Sequence, residues 1–183
     1  DFRRSCRSTS SKVFATDSKP LLEPEVMAEL RRLGVELEFG GHTEKSVIAA
    51  TLIVVSPGVP LDLPVLIQAR ARAIPIISEL ELAARFLTKP IIAITGTNGK
   101  TTTTTLIGEM LKAAGKKVFV GGNIGQPLVD LDDSSLDYIV AEVSSYQLEA
   151  SCDFHPKVSV ILNVQPDHLD RHHTRAEYIK EKQ

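Results

Sequence analysis

The chain has 183 residues, 43% of them hydrophobic and 5% aromatic, and a formal net charge of −2. That balance leaves no basic footprint for nucleic acid, and the absence of Trp removes the best platform for base stacking. The longest apolar stretch, Val47 to Val59, is interrupted by Thr51, Ser56 and Pro57 and falls short of the ~20 residues of a membrane-spanning helix, so no membrane insertion is expected.

In chain order, Lys12 to Thr16 reads as a strand that ends at Asp17. Glu25 to Leu33 reads as a helix with Val26, Leu30 and Leu33 on one face and Gly34 as its stop. Leu52 to Ser56 is a buried strand closed by Pro57-Gly58, Leu63 to Ala73 is helical, Ile74 to Ile77 is a strand and Glu79 to Leu87 is a helix. Thr88-Lys89-Pro90 reads as a linker. A second series follows: strand Ile91 to Thr95, helix Thr102 to Ala114, and strands Lys117 to Val120, Tyr138 to Val143 and Val158 to Asn163. Near-continuous apolar strands separated by helices predict an α/β fold with parallel sheets covered on both faces. The two cysteines, Cys6 and Cys152, form neither a disulfide framework nor a metal spacing, which points to a reduced, cytoplasmic setting.

The strongest chemical signal is the run from Ile91 to Thr102, in which an apolar strand enters the turn Gly96-Thr97-Asn98-Gly99 and then Lys100-Thr101 opens a helix. Glycines let backbone N–H groups converge on an anion with no Cβ in the way. The helix start adds N–H donors that have no partner within the helix, and the positive end of its dipole. In such a loop the Lys100 ammonium neutralises β- and γ-phosphates and the Thr101 hydroxyl reaches Mg²⁺. The spacing departs from the usual form, since Ile94 stands six residues before Lys100. The plainer alternative is a strand-to-helix turn with an exposed lysine. The Thr run from Thr101 to Thr105 argues against it, because β-branched residues are poor helix formers.

The loop Thr95 to Thr102, together with Gly121-Gly122-Asn123-Ile124-Gly125, Glu142-Val143-Ser144-Ser145-Tyr146-Gln147-Leu148-Glu149 and Ile161 to His172, resembles the Mur ligase family, most of all its D-glutamate-adding member. The resemblance runs from about Lys12 onward. It implies a Rossmann-like N-terminal domain over 1–89 and a P-loop-type central ATP-binding domain over 90–183, both incomplete, with a C-terminal amino-acid-binding domain absent. The implied activity is ATP-dependent joining of D-glutamate to UDP-N-acetylmuramoyl-L-alanine through an acyl phosphate, in cell-wall synthesis, by a monomer. ATP and Mg²⁺ are the implied cofactors.

By the same resemblance, Gly96, Thr97, Asn98, Gly99, Lys100, Thr101 and Thr102 hold the nucleotide. Thr101 and Glu142 bind one magnesium and His168 a second, with Asp167 beside it. Lys182, four residues after Tyr178, matches a lysine that the family carbamylates. Lys100, His168 and Lys182 are thus the implied catalytic residues, and Asp17, Ser56, Gly58 and Asn123 the contacts to the UDP-sugar. The residues accord with these roles. Glu142 lies just past a buried strand, where open α/β sheets bind ligands, although a solvated strand end is the plainer reading. A lone His is more often a surface residue than a magnesium ligand, and Asp167 and Asp170 raise the case for His168 only modestly. His172 and His173 read as solvated, and the Ser144-Ser145 pair lacks a nucleophile elbow.

The family has a glycine-rich turn ahead of the strand at Lys12, and Asp1 to Ser11 contains no glycine. That segment is also rich in Arg and Ser, as transit peptides are. The expectation is a chain that lacks its first strand and turn and does not complete ligation alone. Two other readings stay open: a nucleotide-binding module without catalysis, and a P-loop kinase that transfers phosphate to a hydroxyl.

Overall fold

The computed structural model describes residues 12–20 and 23–165. The described residues divide into two compact units, those up to 53 with 59–76, and 54–58 with those from 77 onward. The architecture is α/β.

In the first unit, β1 (Phe14–Asp17) leads through α1 (Pro24–Arg32) to β2 (Glu36–Phe39). The two strands pair in parallel, with Phe14 opposite Glu36 and Asp17 opposite Phe39. α1 starts at Pro24, whose fixed φ suits a first helical position, and has Arg31 and Arg32 in its last turn, against the negative end of the dipole. β2 and the short α2 (Glu44–Ile48) were not expected from the sequence. Glu36-Leu37-Glu38-Phe39 alternates charged and apolar residues, which is the period of a half-buried strand. α3 (Pro64–Ala71) buries Val65, Leu66 and Ala69. β3 (Ile53–Val55) and β4 (Ile76–Ser78), of which only Ile53 and Ile76 belong to the first unit, form a further two-stranded pair.

The second unit carries α4 (Glu79–Phe86), β5 (Ile91–Thr95), α5 (Lys100–Ala113), β6 (Val118–Gly122), β7 (Tyr138–Glu142), α6 (Ser145–Leu148) and β8 (Val158–Ile161). Its four-stranded sheet has the order β6-β7-β5-β8. Every pairing in it is parallel. The central strands β5 and β7 are apolar because both of their faces are covered: Ile94, Ile139, Val140 and Ala141 are wholly buried. α4 packs its Leu80 and Ala83 into the same cluster as Ile91, Ala93, Ile139 and Val143. Ser78 caps α4 by accepting from the Glu81 amide at 3.0 Å.

Glu81 is 1% exposed, and its carboxylate takes the amides of Cys152 at 3.2 Å and Asp153 at 2.9 Å, with Arg85 Nε at 3.3 Å. These bonds fix α4 to the segment that precedes β8. α5 lies so close to β6 that a Cβ on Gly108 would collide with Val120.

The register aligns Gly122, Glu142, Ile94 and Val160 in one row across the sheet. Because the strands are parallel, their carboxyl ends all open at one edge, the edge at which open α/β sheets take ligands.

Candidate nucleotide-binding site

β5 delivers the chain to the loop 96–99 at that edge. Gly96 is buried at φ 144°, and a Cβ there would stand 3.1 Å from Leu162 Cβ and 3.2 Å from both N and O of Asn163. Only glycine meets both demands, left-handed backbone and close approach of the strand end. Gly99 forms the N-cap of α5 in the left-handed region, with no side-chain cap. The first intrahelical bond runs from Thr103 N to Gly99 O at 3.0 Å. The N–H groups of Gly99, Lys100, Thr101 and Thr102 therefore have no acceptor inside the helix, and the dipole of a 14-residue helix adds positive potential there.

Lys100 is half-buried and folds back over its own loop, its Nζ donating to Gly96 O and Thr97 O, each at 2.9 Å. Two of its three N–H bonds are thereby spent on neutral carbonyls, so an incoming phosphate meets a lysine already aimed into the loop.

Glu142, the last residue of β7, is 2% exposed. Thr101 Oγ1 donates to its Oε2 at 2.8 Å and Asn123 Nδ2 donates to its Oε1 at 2.9 Å. Among the described residues no cationic side chain pairs with it. A buried carboxylate supported only by neutral donors is costly unless a cation joins it. Asn123 reaches it because β6 ends in Gly122 at φ 103°, where a Cβ would stand 2.6 Å from Glu142 O, and the Asn123 amide donates to that same carbonyl at 2.9 Å.

A hard divalent cation such as magnesium takes oxygen ligands and keeps several waters. One carboxylate and one hydroxyl, side by side at the phosphate loop, fit that chemistry. Among the described residues no group of three His, Cys, Asp or Glu side chains gathers as a metal set.

The structure thus brings Gly96, Thr97, Asn98, Gly99, Lys100, Thr101, Thr102, Asn123 and Glu142 to one edge of the second unit's sheet. It also adds two residues that the sequence reading assigned no role, Asn163 and Gln165, which bind Thr97 and Asn98. Asp17 closes β1 in the first unit, where its Oδ1 accepts the Lys19 amide at 2.8 Å. Ser56 and Gly58 are exposed and follow β3, with Gly58 at φ 89°. Asp167, His168, Asp170, His172, His173, Tyr178 and Lys182 lie outside the described residues. No helix among the described residues is long and apolar enough to cross a membrane.

Two family models match this chain, a Mur ligase MurD-like N-terminal domain over residues 6–78 and a Mur ligase middle domain over residues 94–183. The UDP-N-acetylmuramoylalanine–D-glutamate ligase of Geotalea uraniireducens is 53% identical over 176 residues, covering 94% of this chain and 39% of the relative. The protein of the same name from Thermoanaerobacter sp. is 47% identical over 174 residues, covering 93% of this chain and 38% of the relative. The chain therefore spans about two-fifths of the length of these curated relatives. Among solved structures, the UDP-N-acetylmuramate:L-alanyl-gamma-D-glutamyl-meso-diaminopimelate ligase from Neisseria meningitides matches with a TM-score of 0.51 at 18% identity, over 92% of this chain and 58% of that one, a likeness of fold. With two of the family's domain models laid end to end along most of its sequence, and about half of its residues identical to relatives of one name, the chain belongs to the Mur ligase family.

Proposed function

We propose that this chain carries the nucleotide site of an ATP-dependent carbon–nitrogen ligase that adds D-glutamate to UDP-N-acetylmuramoyl-L-alanine in cell-wall synthesis. The observation that carries the reading is the buried Glu142 carboxylate, bracketed by Thr101 of the phosphate loop and by Asn123. The relatives' shared name supplies the substrates.

A carboxylate does not react with an amine at neutral pH, because oxide is not a viable leaving group. Phosphoryl transfer from ATP to the carboxylate oxygen makes an acyl phosphate. The amine then attacks the acyl carbon and inorganic phosphate leaves. Because phosphoryl transfer needs mainly positioning and charge stabilisation, the loop has the parts required. The backbone N–H groups from Gly99 to Thr102 hold phosphate oxygens, and the Lys100 ammonium turns from Gly96 O and Thr97 O to the β/γ bridge. Glu142 and Thr101 would hold magnesium, which, when bound, neutralises charge on the phosphates. Asn123 keeps the Glu142 carboxylate oriented. Asp17, Ser56 and Gly58 are assigned to the UDP-sugar, His168 to a second magnesium and Lys182 to a carbamylated state. A cytoplasmic monomer is the proposed form.

Equilibrium titration with Mg-ATP, and separately with UDP-N-acetylmuramoyl-L-alanine, tests the reading. Saturable binding of both supports the ligase. Binding of the nucleotide alone would reduce the chain to a nucleotide-binding module, and binding of neither would overturn the proposal.

A further inference from the structure

The loop is held from outside by the strand that ends beside it. Beyond β8, the Asn163 carboxamide makes a two-point clasp on the backbone of Asn98. Its Oδ1 accepts Asn98 N at 2.9 Å, and its Nδ2 donates to Asn98 O at 2.9 Å. The Asn163 carbonyl accepts Thr97 N at 3.0 Å. Gln165 adds a second layer: its amide donates to Thr97 Oγ1 at 3.0 Å, its carbonyl accepts that hydroxyl at 3.2 Å, and its Oε1 accepts Asn98 Nδ2 at 3.2 Å. Gly96, with no Cβ, lets Asn163 approach closely enough for this clasp to close.

We propose that Asn163 and Gln165 are positioning residues for the phosphate loop, and that they divide its amides into two sets. The N–H groups of Thr97 and Asn98 are committed to Asn163 and brace the loop. Those of Gly99, Lys100, Thr101 and Thr102 are left to the phosphates. The inference rests on the nucleotide reading above and deepens it. A loop braced in its binding shape before the ligand arrives loses less conformational freedom on binding. Neither residue touches phosphate; both act through Thr97 and Asn98. The clasp ties the segment that follows β8 to the loop through two hydrogen bonds of 2.9 Å.

The test pairs residue-resolved amide exchange with Mg-ATP titration of the whole chain, as wild type, Asn163→Ala and Gln165→Ala. In wild type without nucleotide, the Thr97 and Asn98 amides should exchange slowly and the Gly99 to Thr102 amides quickly. Mg-ATP should add protection at Gly99 to Thr102 only. Asn163→Ala should release the Asn98 amide, leave Thr97 protected by the backbone carbonyl, and weaken Mg-ATP about tenfold, the loss of two modest hydrogen bonds. Gln165→Ala is the milder lesion, with a loss of about threefold, and keeps the question answerable if Asn163→Ala does not fold. Unchanged Mg-ATP affinity in the folded variants overturns the positioning role while leaving the nucleotide reading intact. New protection at Thr97 and Asn98 on adding Mg-ATP overturns the division of amides. Absence of any wild-type response to Mg-ATP overturns the nucleotide reading, and the positioning role with it.

Discussion

Thr101 and Glu142 lie 41 residues apart in the chain, and the hydroxyl of the first donates to Oε2 of the second at 2.8 Å. That bond joins the second residue of α5 to the last residue of β7, so the helix that follows the phosphate loop is indexed directly to the neighbouring strand. The carboxylate is held ready beside the loop and shielded from solvent.

Glu142→Gln removes the charge and keeps the shape. The amide can still accept from one neighbour, so the fold should survive with stability unchanged or slightly raised, because a desolvated charge has gone. Magnesium-dependent ATP affinity should fall by at least tenfold, ~1.4 kcal/mol, while affinity for metal-free ATP changes little. Calorimetric titration with and without magnesium separates the two.

The glycines at the sheet edge offer a graded series. Gly96→Ala places a Cβ against Leu162 and Asn163 at φ 144°, and Gly122→Ala places one 2.6 Å from Glu142 O at φ 103°. Each should cost roughly 1–3 kcal/mol of stability. Gly125 has φ +61° and open space around its Cβ position, so Gly125→Ala should cost only the left-handed backbone penalty of about 1–2 kcal/mol and rank as the mildest of the three. Urea unfolding of the three variants gives the ranking directly.

Glu81 sets a different test, far from the loop. Its carboxylate is 1% exposed and serves two backbone amides as well as Arg85. Glu81→Ala strands both amides and opens a cavity under α4, so unfolding free energy should drop by about 3 kcal/mol, seen as a lower denaturant midpoint.

Two carboxylates give the acid limb of stability opposite signs. Glu79 is pushed above its ordinary value, first by burial and then by the nearby Asp130 charge. Its stabilising contribution is present below the ordinary Glu range and is lost as pH rises through the raised value. Asp133 behaves the other way. Burial alone would raise it, but the Thr88 and Lys89 amides, the Thr88 hydroxyl and the Lys89 charge together hold it below the usual carboxylate range. Its contribution is present above the ordinary Asp range and is lost as pH falls through the lowered value. Glu79→Gln should therefore raise the melting temperature at neutral pH, with the gain vanishing in acid. Asp133→Asn should lower it at neutral pH, with the loss vanishing in strong acid. Thermal melts across pH 3–8 read both signs.

How much of this could be seen in the sequence depends on the range of the forces involved. β5 was expected at Ile91–Thr95 and lies there, since four apolar residues and a β-branched Thr running into Gly96 state their own limits. α6 was missed although Ser144 and Gln147 form a full capping box, because four residues carry too little periodicity to register. β6 runs through Gly121 and Gly122, past the expected end at Val120, because parallel pairing with Ala141 and Glu142 outweighs the weak strand preference of glycine. Glu142 was legible as a strand-end acid. Its partners were not, since Asn123 and Thr101 reach it only through the sheet order. Asn163 and Gln165 were hidden for the same reason: their clasp exists only where β8 abuts β5. The attachment of α4 to the second unit likewise rests on Glu81 partners some 70 residues away.

The central claim, a formed phosphate loop that takes Mg-ATP, is tested most directly by thermal unfolding with and without Mg-ATP, for the chain and for Lys100→Ala. At one hundred times the dissociation constant, the ligand should add ~2.7 kcal/mol of stability to the wild type, a clear rise in melting temperature. Lys100→Ala should still unfold cooperatively and should lose most of that rise. No shift in the wild type, or an equal shift in both proteins, would contradict the claim.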